Sequence, residues 1–226
     1  MEAKIVCGRP QGVSLLRIII ACECSGAVRD AFIAKGHDAW SCDFQDCESD
    51  PSRHLKCDVL SILNDGWDMM IAHPPCTDLS VAGARWFKEK RQNGSQQRSI
   101  DFFMEFTKTK IEKVCIENPV SIMSKVWRKP DQIIQPWMFG DEASKKTCLW
   151  LKNLPKLTPT DIVGKGEMIT YESGRTMPKW YADAFRLPKE ERSRLRSRTF
   201  PGIAKAIADQ WGAIDTLSII KTANGG

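Results

Sequence analysis

Two short segments carry residue types able to do covalent chemistry on a heteroaromatic ring. The first is Ala72-His-Pro-Pro-Cys76-Thr-Asp-Leu-Ser80-Val-Ala-Gly83. An apolar run ends there in two prolines, each fixing its own φ, so the turn is rigid and presents the Cys76 thiol. A cysteine kept only for packing does not need such a turn, although free cysteines commonly serve as small hydrophobes. The second is Cys115-Ile-Glu117-Asn118-Pro119-Val120. Here too an apolar run stops at a proline, with an acid just before it. A thiolate can add to one ring carbon while a carboxyl group stabilises the ring nitrogen that gains electron density. Taken singly, Glu117 reads equally well as a capping or ion-pairing residue.

These residues need a scaffold that brings the ends of several strands together. Leu16 to Cys22 is a β-branched apolar run that reads as a buried strand, followed by a Cys24-Ser25-Gly26 turn and a helix over Ala27 to Lys35 closed by Gly36. Asp38 to Phe44, a short segment ending at Cys57-Asp58-Val59, Trp67 to Ala72, Val114 to Glu117 and Thr147 to Leu151 read as further strands. Gln96 to Lys108 reads as an amphipathic helix with Ile100, Phe103 and Met104 inward, and Pro201 to Trp211 as a final helix. Strands alternating with helices predict a mostly parallel, doubly wound α/β sheet. Ligands of such sheets bind at the carboxyl ends of the strands, where Asp43, Asp58, Cys76 and Glu117 fall. Residues 152–195 are rich in Pro, Thr, Gly and Lys, with Tyr171-Glu-Ser-Gly174 as a hairpin tip, and read as a small insert. The expected organisation is an N-terminal arm (1–14), a core (15–151), the insert (152–195) and a C-terminal helix completing the core (196–226).

The chain has 226 residues, 42% hydrophobic and 27% charged, which excludes collagen-like, coiled-coil and disordered classes. No apolar run reaches the ~18 residues of a membrane span. The charged start, Met1-Glu-Ala-Lys, lacks the apolar stretch of a signal peptide, so a cytoplasmic protein with no membrane partner is expected. Lys plus Arg number 33 against 28 acidic residues. This mild excess permits a polyanionic partner, and the bases cluster: Lys189 with Arg192, Arg194, Arg196 and Arg198; Lys145 and Lys146 with Lys152 and Lys156; and Arg85 with Lys88, Lys90, Arg91 and Arg98. The nine cysteines are expected to be free thiols. Their spacings fit poorly the paired C-x2-C pattern of a zinc site, and no metal is expected.

In order and spacing, residues 16–151 and 196–212 resemble the C5-cytosine DNA methyltransferases. Pro74-Pro75-Cys76 with Ser80 and Gly83 resembles that family's nucleophile loop, and Glu117-Asn118-Pro119 its Glu-Asn-Val motif. Cys22-Glu-Cys24-Ser25-Gly26 is similar to its Phe-x-Gly-x-Gly turn, with only Gly26 matching a glycine. Asp43-Phe44 resembles the acidic–aromatic pair that holds the ribose and adenine of S-adenosyl-L-methionine (SAM), Asp58-Val59 the Gly-Asp-Ile motif beside the adenine, and Arg198-Thr-Phe-Pro201-Gly-Ile-Ala the last motif. The amino-methyltransferases acting on adenine N6 carry an aromatic residue where Cys76 stands, and fit less well.

The resemblance implies a Rossmann-like SAM-dependent methyltransferase fold. It implies that Cys76 attacks C6 of a flipped cytosine, that Glu117 engages N3 and the amino group, and that C5 takes a methyl group from SAM. Asn118 and Lys145 join the implied catalytic set. Cys24, Ser25, Gly26, Asp43, Phe44, Asp58, Val59, Pro75, Ser197 and Arg198 form the implied cofactor set. Ser80, Arg85, Lys146, Thr147, Arg194 and Arg196 form the implied DNA-binding set. Because the nucleophile is a thiolate, the local field is expected to lower the pKa of Cys76, with His73 and the basic residues as candidates for the cause.

The chain departs from the family at four places. Thr77 follows the nucleophile where Gln is usual. Phe139-Gly140 leads to Lys145, Lys146 and Thr147 where the family has Gln-x-Arg-x-Arg. The insert is too small for the usual recognition domain, so specificity is short, weak or supplied by a partner, either a homodimer mate or an accessory specificity subunit. Ser197-Arg198 replace Gly-Asn-Ser. A base there would suit carboxy-S-adenosyl-L-methionine (carboxy-SAM) and a carboxymethyl transfer, or Arg198 contacts phosphate or pairs locally. Further alternatives are an RNA, single-stranded or free-nucleotide substrate, and an idle SAM- or DNA-binding regulator, which would have no chemical need for Cys76 and Glu117. The leading expectation is a compact, mobile-element or phage-like DNA cytosine C5-methyltransferase that protects or marks DNA, as restriction–modification enzymes do.

Overall fold

The computed structural model describes residues 15–214. The proposed N-terminal arm and the end of the C-terminal segment lie outside that range. In chain order the elements are β1 (Arg17–Ala21), α1 (Ala27–Ala34), β2 (Asp38–Cys42), β3 (His54–Leu55), β4 (Met69–Ala72), α2 (Phe87–Gln92), α3 (Ser95–Glu105), β5 (Lys113–Pro119), α4 (Met123–Val126), β6 (Gln132–Ile134), β7 (Thr147–Lys152), β8 (Met168–Thr170), β9 (Thr176–Pro178), α5 (Lys179–Ala184), α6 (Lys189–Ser197) and α7 (Pro201–Trp211).

Seven strands form one sheet in the order β3-β2-β1-β4-β5-β7-β6. The pairs β1–β2, β2–β3, β1–β4 and β4–β5 are parallel, while β7 runs antiparallel between β5 and β6. This is the mostly parallel, doubly wound, Rossmann-like sheet that the alternation of elements predicts. In β1, Ile18 to Ala21 are all buried, as a central strand covered on both faces requires. The strand period of two divides them. Ile18 and Ile20 pack with Val28 and Phe32 of α1 and with Ile203, Ile207 and Trp211 of α7. Ile19 and Ala21 join the opposite layer with Met70, Phe103 of α3 and Trp150 of β7.

α1 opens at Gly26, whose φ of 72° lies in the left-handed region. The buried Glu23 carboxylate accepts from the Val28 and Arg29 backbone N–H groups at 2.8 and 3.3 Å, satisfying donors that a helix start leaves open. α7 opens on Pro201 at its first position, where a missing N–H costs nothing. Its Trp211 indole N–H donates to the Pro155 carbonyl at 2.9 Å, tying the last turn of α7 to the segment that follows β7.

Several boundaries differ from the sequence reading. β2 stops at Cys42, so Asp43 and Phe44 lie in the turn beyond it. The third strand is only His54–Leu55. Asp58 instead caps a short 3-10 turn (Val59–Ser61) by accepting from the Leu60 N–H at 3.0 Å, a local bond that competes with strand pairing. β6, the reversal of β7 and helices α4, α5 and α6 were not foreseen. α6 buries none of its residues, so it has no apolar periodicity to read. The hairpin tip at Tyr171–Gly174 is present between β8 and β9, with Gly174 at φ 76° and its N–H donating to the Tyr171 carbonyl at 2.8 Å.

Candidate active site

The site begins where β4 ends. The His73 N–H still donates to the Ala21 carbonyl of β1 at 2.9 Å. The two prolines that follow end the ladder, because neither has an N–H to offer. Pro74 is buried and Pro75 exposed, and the Cys76 carbonyl accepts from the N–H groups of Leu79 and Ser80 at 3.1 and 2.9 Å. Cys76 therefore sits at the head of a tight turn at the carboxyl edge of the sheet. The Asn118 side chain donates to the Pro74 carbonyl at 2.8 Å and ties this turn to β5.

Register supplies the next contact. Ala72 of β4 pairs with Ile116 of β5, so the residues one step on, His73 and Glu117, are neighbours. The His73 Nδ1–H donates to Glu117 Oε2 at 2.9 Å, and both side chains are largely buried. Because β7 is antiparallel, it starts at the edge where the parallel strands end, with Thr147 opposite Pro119. That brings Lys145, two residues earlier, to the same edge. Its ammonium donates to the carbonyls of Arg196 and Arg198 at 2.9 and 3.3 Å and fastens the end of α6 there. Cys76, Glu117, Asn118 and Lys145 are thus brought to one place.

Electrostatics corrects one expectation. Burial pushes the Cys76 thiol above its ordinary value and the Glu117 charge pushes it further, while Lys145 and Arg196 pull it partway back. The field does not lower it, and the His73 proton goes to Glu117 instead of serving the thiol. Burial alone would depress His73, but the hydrogen bond and charge of Glu117, with a contribution from Glu23, outweigh it and favour the imidazolium. Burial would likewise raise Glu117, but His73 and then Lys145 hold its carboxyl below the usual range. His73 Nε2 and Asn118 Oδ1 are buried and have no hydrogen-bond partner among the described residues.

The residues of the expected cofactor set follow β1 (Cys24, Ser25, Gly26), β2 (Asp43, Phe44), β3 (Asp58, Val59) and β4 (Pro75), with Ser197 and Arg198 just before α7. The Cys24 thiol lies 3.9 Å from Glu48 Oε1. Burial, then Asp43 and Glu48, raise it to about 11. Burial raises Cys22 as well, followed by Asp43, Cys42 and Asp58. Asp43 thus acts on both thiols, with Asp58 acting on Cys22 and Glu48 and Glu23 on Cys24. Ser25 donates to Glu23 at 3.3 Å, and a Cβ on Gly26 would stand 2.3 Å from Ser49 Oγ. Phe44 exposes 68% of its surface, an aromatic face open to stacking, whereas Val59 is buried. Arg198 donates to Glu48 at 2.8 Å and Arg194 lies 3.5 Å from the same carboxylate. The Ser197 hydroxyl is turned back onto the Arg194 carbonyl at 3.1 Å.

Of the expected DNA-binding set, Ser80 and Arg196 lie near Cys76: the Ser80 N–H donates to the Cys76 carbonyl at 2.9 Å, and the Arg196 charge acts on the thiol. Ser80 caps the turn Val81–Trp86 through the Ala82 N–H, and Arg85 lies 5.1 Å from the Trp86 ring. Lys146 is exposed, while Thr147 is buried at the start of β7 with its hydroxyl donating to the Lys145 carbonyl at 3.3 Å. Arg196 lies over the Tyr181 ring at 4.4 Å. The sequence reading missed the Glu23 cap and the pairing of His73 with Glu117. An acid three residues before the capping Gly26 signals the first; nothing local signals the second, which joins residues 44 apart.

No protein-family model matches the chain, and no curated protein matches it in sequence. Among solved structures it is similar to a protein described as a DNA modification methyltransferase encoded within an E. coli prophage, with 16% identity and a TM-score of 0.44, covering 78% of this chain and 56% of that one. It is also similar to the Entamoeba histolytica methyltransferase EhMeth, with 13% identity and a TM-score of 0.44, covering 70% of this chain and 59% of that one. The chain thus spans less than two thirds of the length of either.

Proposed function

We propose that this chain is a SAM-dependent DNA cytosine C5-methyltransferase. The observation that carries the reading is the pairing of two strand ends. A thiol on a rigid Pro-Pro-Cys turn and a carboxylate one strand over are locked to each other by the Asn118–Pro74 bond. Cys76 is the nucleophile at C6, Glu117 the group facing N3 and the exocyclic amine, and Asn118 the positioning residue that sets their separation. Lys145 and Arg196 lower the cost of the Cys76 thiolate, which burial otherwise makes unfavourable. A base within a duplex cannot reach Cys76, so the substrate cytosine is flipped out or single-stranded.

The residues at the neighbouring edge fit SAM. Asp43 and Asp58, which form no ion pair among the described residues, suit a cofactor carrying a sulfonium and an ammonium, and Phe44 offers a face for a purine. When bound, SAM supplies the methyl electrophile. Ordinary SAM is favoured over carboxy-SAM because the Arg198 guanidinium is already answered by Glu48.

Nucleoside mass spectrometry on DNA from cells expressing the chain tests this. A 5-methylcytosine peak that disappears with Cys76→Ala supports the reading. A heavier modified cytosine, or no modified cytosine with the wild type, defeats it.

A further inference from the structure

A cytosine ring offers N3 as an acceptor, and an ionised carboxylate is also only an acceptor. Glu117 as it stands in the structure therefore has no proton with which to meet N3. Its one hydrogen-bond partner among the described residues is His73, at 2.9 Å. The contact follows from the register of β4 against β5, so it is held by the sheet and not by a mobile loop. A buried ion pair is poor at adding stability, and this one also leaves His73 Nε2 buried without a partner. The charges facing His73 are Glu117 from β5, Glu23 from the end of β1 and Lys145 from the start of β7. Those facing Cys76 are Glu117, Lys145 and Arg196.

We propose that His73 is a positioning residue that stores the proton Glu117 delivers to N3 of the target cytosine. The inference rests on the C5-methyltransferase reading. The Cys76 thiol first loses its proton to water. As the sulfur–C6 bond forms, the C5–C6 π pair moves to C4–C5 and the C4–N3 π pair moves to N3. N3 takes a proton from Glu117, which takes one from His73 Nδ1. The C4–C5 pair then forms the bond to the methyl group that bound SAM would supply, the sulfonium–methyl bond breaking with its pair kept on sulfur as a neutral thioether, and the C4–N3 double bond returns. Water removes the C5 proton, the freed pair rebuilds C5–C6, and Cys76 leaves as thiolate. N3 returns its proton through Glu117 to His73.

The test is the His73→Asn variant, whose amide can still bond Glu117 but holds no transferable proton. Turnover is measured from pH 5.5 to 9.5 on a cytosine-containing oligonucleotide, with thermal melting and calorimetric SAM binding as controls for folding. The expected result is a loss of about 10²-fold in kcat with unchanged SAM affinity, and disappearance of the alkaline fall in the wild-type profile. A kcat within about twofold of wild type with the alkaline limb kept would overturn the inference while leaving the methyltransferase reading intact. Absence of any product from the wild type would remove both. Nitrogen-15 NMR of the imidazole gives a readout independent of turnover and of the variant's folding. His73 should titrate above its ordinary value in the wild type and fall in Glu117→Gln, and titration at the ordinary value in the wild type would also overturn the inference.

Discussion

The chemistry of this chain is concentrated in a few side chains at strand ends, and each answers to a different part of the covalent environment. Cys76→Ala should abolish methyl transfer while leaving SAM binding intact, measured by product formation beside calorimetry. Glu117→Gln should lower kcat by about 10²–10⁴-fold with little change in DNA affinity. The His73–Glu117 pair also predicts a stability profile. His73 has a raised value when folded, so its contribution is whole below the ordinary 6.5 and drains away as pH rises through the raised value. Glu117 has a lowered value when folded, so its contribution is whole above the ordinary 4.5 and drains away as pH falls through the lowered one. The difference in melting temperature between wild type and Glu117→Gln should therefore be largest between about pH 4.5 and 6.5 and shrink on both sides. A pH-independent difference would show that the pair is not ionised in the folded protein. Cys76 and Glu117 were legible in the sequence because a proline pins each to the end of an apolar run. The partnership of His73 with Glu117 was not, because strand order and register create it. The raised thiol was not legible either, because burial is a tertiary property.

At the scale of elements, the antiparallel β7 and the return of α7 decide what reaches the site. β7 carries Lys145 to the carboxyl edge, and Lys145 in turn holds the carbonyls of Arg196 and Arg198. The start of α7 packs against the same region so closely that a Cβ on Gly202 would lie 1.8 Å from the Phe139 carbonyl oxygen and 2.8 Å from Asp141 Oδ2. The Gly202 N–H also donates to Asp141 Oδ2 at 2.8 Å. Gly202→Ala must push the helix away from backbone that has little room to move, and should destabilise the fold by roughly 1–3 kcal/mol. Chemical denaturation reads this directly, and an unchanged midpoint would show that α7 can shift without cost. The helix itself was legible to the residue, from Pro201 through an apolar stripe to Trp211. The glycine contact was not, since it depends on a distant loop. β1 and β4 were legible as uninterrupted apolar runs. β6 was missed because three residues give no period to read, and α6 because its surface is polar all round.

For the molecule as a whole, the proposed function raises the question of how a small insert would hold a polyanion over the site. Charge is divided by location. The cofactor edge is acidic, with Glu23, Asp43, Glu48 and Asp58, whereas the insert and its neighbours carry Lys146, Lys189, Arg192, Arg194 and Arg196. Glu48 already engages Arg194 and Arg198, so the two fields meet in ion pairs and do not run into one another. On the proposed function, a chain with little surface for reading base edges would draw its affinity for DNA mainly from the phosphates. Binding should therefore weaken steeply as salt rises, and do so similarly for unrelated sequences. Lys146 is the cleanest probe: it is exposed, adjoins Lys145 and takes part in none of the ion pairs among the described residues. Lys146→Ala should weaken binding to every oligonucleotide by a similar factor and reduce the slope of log affinity against log salt by about one. Fluorescence anisotropy with duplexes of differing sequence over a salt series measures both quantities. An unchanged slope would place the phosphate path elsewhere, and a loss confined to one sequence would make Lys146 a reader of bases instead of a phosphate anchor.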